Sequence, residues 1–187
     1  MSIQTIRAEA PVYGGYVIGR DGNVIFIKGA IPGELVDVSV DEKKRDYWLA
    51  SVRNIIEPSD FRREPLCNIF GVCGGCHLQF IEYQKQVMMK EEILCDTMRR
   101  IASMNVELLP SVTGREFGYR QRGQFKVSHK GDLGFYRGGT RDVVPVEHCP
   151  VMADEINDVL KGLKRSDLRG VKELHITSGD SKTVLIK

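Results

Sequence analysis

No apolar run in this 187-residue chain approaches the length needed to cross a bilayer, so a membrane-spanning helix is excluded. The first residues, MSIQTIRAEAPV, lack the apolar stretch of a secretory leader, and a cytoplasmic protein is expected. Neither a GxGxxG nor a Walker loop occurs, nor a zinc-hydrolase HExxH. The four histidines, at 77, 129, 148 and 175, are scattered, and no serine or carboxylate spacing proposes a triad with them. Asp21, Asp41 and Asp46 read as turn residues rather than general acids or bases. There is no internal repeat and no low-complexity tract. Large net charge is also missing: 27 basic residues nearly cancel 25 acidic ones, leaving +2. Any case for nucleic-acid binding must therefore rest on local clusters.

What is present divides into two parts, near Glu57-Pro58-Ser59-Asp60. Residues 1–57 read as all-β. Val12 to Gly19 leads into the Arg20-Asp21-Gly22-Asn23 turn and then Val24 to Ile27; Glu34 to Val40 alternates, and Tyr47 to Ile56 forms a further strand. Short strands with glycine corners in so few residues predict a small closed barrel of OB type, because closure removes exposed edges. Residues 58–187 predict an α+β domain. A helical period runs from Gln79 to about Ala102, with Phe80, Tyr83, Val87, Leu94, Met98 and Ile101 on its apolar face. Strands are expected at 119–127 and 133–137, a helix over about 152–163, and two strands around Ser178-Gly179-Asp180.

Five cysteines without a secretory leader fit a reducing compartment, where they bind metal more often than they pair. Cys67, Cys73 and Cys76 form C-x5-C-x2-C within CNIFGVCGGC, and Gly71, Gly74 and Gly75 allow the tight path this needs. Cys149, in His148-Cys149-Pro150, supplies a fourth thiolate. Four thiolates suit zinc or an iron–sulfur cluster. Structural zinc usually uses two short paired knuckles, so one tight pair, one longer gap and one remote cysteine favour [4Fe–4S]. A set completed by His77 or His148 is the minor variant, and four uncommitted buried cysteines the bland one. Cys95, near the apolar face of the long helix, reads as a small buried hydrophobe.

Two basic clusters are candidates for RNA. Lys43, Lys44 and Arg45 occupy a turn of the predicted barrel, just before Tyr47 and Trp48. From Arg115 to Arg141, seven basic residues face only Glu116 and Asp132, with aromatic residues interleaved. There Arg120, Arg122, Lys126, Arg137 and Arg141 are candidate phosphate contacts, while Phe125 and Phe135 are expected to turn inward. Trp48 is expected in the core, and Tyr13 and Tyr16, beside glycines, at the surface.

Taken together, YGGYVIGRDGNVIFIKGAIPGELVDVSV, CNIFGVCGGCHLQFIEYQKQV, YRQRGQFKV and LGFYRGGTRDVVPVEHCP resemble the N-terminal part of the 5-methyluridine RNA methyltransferases, in particular the bacterial iron–sulfur 23S rRNA (uracil-5-)-methyltransferases. The resemblance covers nearly the whole chain. It implies a TRAM barrel at 1–57 and the iron–sulfur part of the central domain beyond, with a [4Fe–4S] cluster on Cys67, Cys73, Cys76 and Cys149. In that family a further Rossmann-like domain binds S-adenosylmethionine, and a cysteine there attacks the uracil ring. No counterpart of those parts occurs here. The chain is therefore expected to be a shortened, catalytically inactive portion that docks RNA, with 23S rRNA the expected partner, as a monomer. A tRNA-directed relative and a stand-alone zinc-stabilised RNA-binding protein are the alternatives. A radical enzyme is disfavoured by the fourth cysteine.

Overall fold

The computed structural model describes residues 3–163, 166–179, 181 and 183–187. It divides into two compact units: Met1–Glu64 with His77–Ser111, and Pro65–Cys76 with Val112–Lys187.

The first unit is built on a six-stranded sheet. Its strands are β1 (Ile3–Arg7), β2 (Ala10–Val12), β3 (Tyr16–Arg20), β4 (Val24–Lys28), β5 (Leu35–Lys43) and β6 (Trp48–Glu57), in the order β1-β5-β6-β4-β3-β2. All neighbours are antiparallel except β4 and β6. Three register shifts between β5 and β6 bend this pair, since each bulge adds local twist. The sheet curls until β1 lies over β3: a Cβ on Gly19 would stand 2.4 Å from Ile6 Cγ2 and 3.1 Å from the Arg7 carbonyl. The sequence predicts a closed barrel; the sheet is instead a curled one whose order ends on β1 and β2. Alternate residues fill the inside of the curl, among them Ile6, Val17, Ile25, Ile27, Val36 and Val38.

Among the described residues of this unit, one charged side chain, that of Glu34, is buried. Glu34 accepts hydrogen bonds from the Ile31 and Ser59 amides at 2.8 and 3.0 Å and from Arg62 Nε and Nη2 at 2.7 and 2.6 Å. Arg62 Nη2 also donates to the Gly29 carbonyl at 2.8 Å. Burial alone pushes the Glu34 carboxyl up, but Arg62 and the two amides outweigh it and hold it below its ordinary value. The pair ties the segment after β6 to the β4–β5 corner.

Helix α1 (Tyr83–Ala102) packs within the same unit. Its buried residues are Gln86 and Met89, whereas Leu94 and Ile101 are 48% and 82% exposed. The expected apolar stripe is therefore not the buried one. Phe80 is buried just ahead of the helix. Ser103, in the left-handed region at φ 55°, closes the C-terminus by donating its N–H to the Met98 carbonyl.

The second unit carries a five-stranded antiparallel sheet: β7 (Arg122–Val127), β8 (Leu133–Tyr136), β9 (Val143–Pro145), β10 (Glu173–Thr177) and β11 (Thr183–Ile186), in the order β11-β10-β7-β8-β9. Helix α2 (Asp154–Leu163) covers one face, and Ile156 and Leu160 meet Phe125, Leu174 and Ile176 there. Phe125 is fully buried and Phe135 packs against it with ring centroids 4.7 Å apart, as the sequence predicts. Of the expected Ser178-Gly179-Asp180 turn, Asp180 lies outside the described residues.

Candidate metal centre and basic surfaces

The segment carrying three of the cysteines has no regular structure, yet it is pinned at several points within the second unit. Ile69 packs against the core under α2. The Phe70 amide donates to the Cys67 carbonyl at 3.0 Å, and the Cys73 amide to the Ile69 carbonyl at 3.0 Å, so the chain folds back on itself between the first two cysteines. Gly71 sits at φ +82°, which only glycine adopts freely. Cys73 forms an isolated bridge with Arg137, and the Gly74 amide donates to the Tyr136 carbonyl at 2.9 Å. This last contact is close enough that a Cβ on Gly74 would lie 2.9 Å from the same carbonyl oxygen.

Cys149 comes from the turn before α2. Its amide donates to Asn157 Oδ1 at 2.8 Å, and Asn157 Nδ2 donates to the Cys149 and Met152 carbonyls, both at 3.2 Å. The Val151 and Met152 amides point at the Cys149 thiol.

These two supports leave Cys149 and Cys73 each within electrostatic reach of Cys67 and Cys76. Burial pushes the Cys149 thiol up, and Cys76 and Cys67 push it further. The Cys73 thiol is likewise raised, first by burial and then by Cys76 and Cys67, against a 3.4 Å hydrogen bond from the Gly75 amide. Four partly buried thiols that would repel one another as thiolates form a site that favours a compensating cation. Among the described residues, no three His, Cys, Asp or Glu side chains are arranged to hold a single metal ion. A four-iron cluster binds each thiolate on a different iron, so its ligands stand further apart than those of a mononuclear centre. Of the two alternative ligands, His77 packs within the first unit, where a Cβ on Gly15 would stand 2.5 Å from its own Cβ, and His148 is exposed.

The basic candidates divide by their partners. Arg120, Arg122, Arg137 and Arg141 are exposed, and no ion pair engages them among the described residues. Two of them flank the cysteine site through the backbone: Arg137 by its bridge to Cys73, and Arg120 by its bridge to Met152 and its amide's 2.9 Å bond to the Val151 carbonyl. Lys126 differs. Its ammonium is paired with Glu173, which also accepts from Gln124 at 2.7 Å and contacts His175 at 2.9 Å. Lys126, Gln124 and His175 together hold the Glu173 carboxyl down at about 2. In the first unit Lys43 lies over the Trp48 ring at 4.0 Å, Lys44 pairs with Glu42, and Arg45 stands 4.0 Å from Asp46. Trp48 is half-buried beneath Lys43 rather than in the core; Tyr13 is 91% exposed. Cys95 is also half-buried. Asn157 and Glu173 were not signalled by the sequence, since nothing local marks a residue whose partners arrive by folding.

One unit thus carries a curled β-sheet, and the other an antiparallel sheet with a loop of three cysteines and a fourth ahead of α2. No family model matches the chain. Its sequence is 34% identical to an uncharacterized RNA methyltransferase of Aquifex aeolicus over 91% of the chain and 41% of that protein. It is 33% identical to the 23S rRNA (uracil(1939)-C(5))-methyltransferase RlmD of Yersinia enterocolitica, over 91% of the chain and 40% of that protein. The fold matches the crystal structure of the Pyrococcus abyssi tRNA (uracil-54, C5)-methyltransferase in complex with S-adenosyl-L-homocysteine, with a TM-score of 0.65 at 20% identity, over 97% of this chain and 44% of that one. Over about nine-tenths of its own length the chain is similar to RNA methyltransferases, RNA uracil-C5 methyltransferases among them, and it spans about two-fifths of the length of the relatives it matches.

Proposed function

We propose that this chain is the RNA-docking portion of an S-adenosylmethionine-dependent 23S rRNA uracil-C5 methyltransferase, and that Cys67, Cys73, Cys76 and Cys149 hold a [4Fe–4S] cluster. What supports the reading is that Cys149, from a distant segment, and Cys73 each lie within electrostatic reach of Cys67 and Cys76, beside arginines that carry no ion pair among the described residues. The cluster, when bound, supplies a four-point crosslink between the 67–76 loop and the turn before α2. The chain's own residues prepare that crosslink. Asn157 fixes the Cys149 backbone, Gly74 lets the loop reach Tyr136, and Ile69 anchors it in the core. Arg120 and Arg137, held by the same backbone bridges, present guanidinium groups that position an RNA backbone. The curled sheet acts as the TRAM-like RNA-binding barrel.

No catalytic or S-adenosylmethionine-binding residue is assigned within the chain; those functions belong to the rest of the enzyme. Ribosomal RNA is preferred to tRNA because the rRNA-directed relatives are 30–35% identical, against 20% for the tRNA enzyme whose fold matches. No helix among the described residues is long and apolar enough to cross a membrane; the RNA-modifying relatives support a cytoplasmic location. Binding of a 23S rRNA stem-loop measured against salt tests the proposal. Replacing Arg120, Arg122, Arg137 and Arg141 with Gln should weaken binding and flatten the salt dependence. An identical salt slope removes this surface from the proposal.

A further inference from the structure

Within the first unit, a groove of about 470 Å³ opens between the outer side of the curled sheet and the C-terminal half of α1. Its size falls in the range of ordinary ligand sites, about 300–1,000 Å³. The floor is apolar, from Pro11, Val12 and Ile18 with Val106 opposite. The walls are polar but electrically balanced. Arg99 and Arg100 both pair with Asp96, at 2.6 and 2.9 Å, Arg20 pairs with Glu9, and Glu92 and Asn105 add further acceptor and donor atoms. Such a site does not select for phosphate, which rewards uncompensated positive charge. It suits a flat, neutral group with an apolar face and both donors and acceptors at its edge.

The groove is continuous with a row of rings. Ile18 in its floor pairs across the sheet with Phe26, and Tyr16, two residues back on the same side, packs edge-on to Phe26 with centroids 6.5 Å apart. Phe26 in turn meets Tyr47 at 5.1 Å. The intervening residues Val17, Ile25 and Ile27 are buried, so the three rings belong to the outward side. None of the three is fully buried. Lys28, directly opposite Tyr16, and Lys43, next to the end of the row, supply cations for a backbone running along it.

We infer that this outer side is a track for single-stranded RNA, with one unstacked base seated in the groove and its neighbours stacked along Tyr16, Phe26 and Tyr47. The inference deepens the RNA-docking reading and rests on it. Aromatic faces and guanidinium planes hold bases of any identity, whereas a duplex keeps its bases stacked and cannot fill the groove.

The test compares a fluorescein-labelled oligouridylate with an RNA duplex of equal length on the whole chain. Asn105→Trp fills the groove from an exposed position after α1 without removing a charge; Tyr16→Ala shortens the ring row. Each variant should weaken the single strand about tenfold while duplex binding and the salt slope stay unchanged. Unaltered single-strand affinity in both variants, with melting as in the parent chain, overturns the track. Equal weakening on both RNAs does so as well. Duplex binding without oligouridylate binding by the unmodified chain defeats the track alone; no binding of either RNA defeats the docking reading too.

Discussion

Asn157 grips Cys149 from both sides: its Oδ1 accepts the Cys149 amide at 2.8 Å while its Nδ2 donates back to the Cys149 carbonyl at 3.2 Å. The asparagine is 3% exposed, so water cannot substitute for these bonds. Asn157→Leu keeps the volume and strands the Cys149 and Met152 groups. The expected cost is about 2–4 kcal/mol, since unpaired buried polar groups carry their full desolvation penalty. Cluster retention should fall with it. Iron content and thermal melting check both, and a variant with undiminished iron shows that Cys149 needs no such support.

Gly74 and Gly75 are adjacent but not equivalent. A Cβ at Gly74 meets the Tyr136 carbonyl at 2.9 Å and Gly138 backbone at 3.1 Å, whereas at Gly75 it makes an ordinary 3.5 Å contact with Cys73 Sγ. Gly74→Ala should therefore push the cysteine loop off β8 and lower iron occupancy severalfold, and Gly75→Ala should leave occupancy near that of the parent. Equal occupancy in the two variants contradicts the packing described.

Glu34 and Arg62 form the buried ion pair of the first unit, with side chains 0% and 20% exposed. The Glu34 carboxyl is depressed on folding. Its contribution to stability is thus fully present above the ordinary carboxylate value and is lost as pH falls through the lowered one. Glu34→Gln leaves Arg62 without its counter-charge, costs about 3–5 kcal/mol and removes that part of the acid transition. Melting of both proteins across the acid range reads the difference, and parallel pH profiles sink the assignment.

At neutral pH Lys126 and Glu173 neutralise each other, because Glu173 stays ionised down to about 2. Lys126→Ala should therefore barely change the salt dependence of RNA binding, while Arg122→Ala lowers its slope by about one. Glu173→Gln, which frees the lysine, should steepen it. A steep loss in Lys126→Ala means that the pair opens when RNA binds.

The C-x5-C-x2-C pattern proposed here as part of a ligand set stands out in the sequence because its signal is chemical and local: thiols at short spacing, with glycines between. Strands β7, β8, β10 and β11 of the second unit and the inward turn of Phe125 and Phe135 were legible, whereas the three-residue β9 was not. Other features depend on contacts between remote residues. Strands β1 and β2 are short and contain Gln4, Thr5, Arg7 and Pro11, which mask any alternation. The period of α1 showed a helix but not which stripe turns inward; tertiary packing buries Gln86 and Met89 and leaves Leu94 and Ile101 out. The neutralisation of Lys126 comes from a strand 47 residues away, beyond the reach of any charge count over 115–141.

The central claim, a cluster on four cysteines, is tested most directly by iron, acid-labile sulfide and zinc content in protein purified without oxygen, for the parent chain and for Cys149→Ser. The account predicts about four iron and four sulfide per parent chain and a marked loss of both in the variant. One zinc without sulfide in the parent chain, or iron and sulfide undiminished in Cys149→Ser, contradicts it.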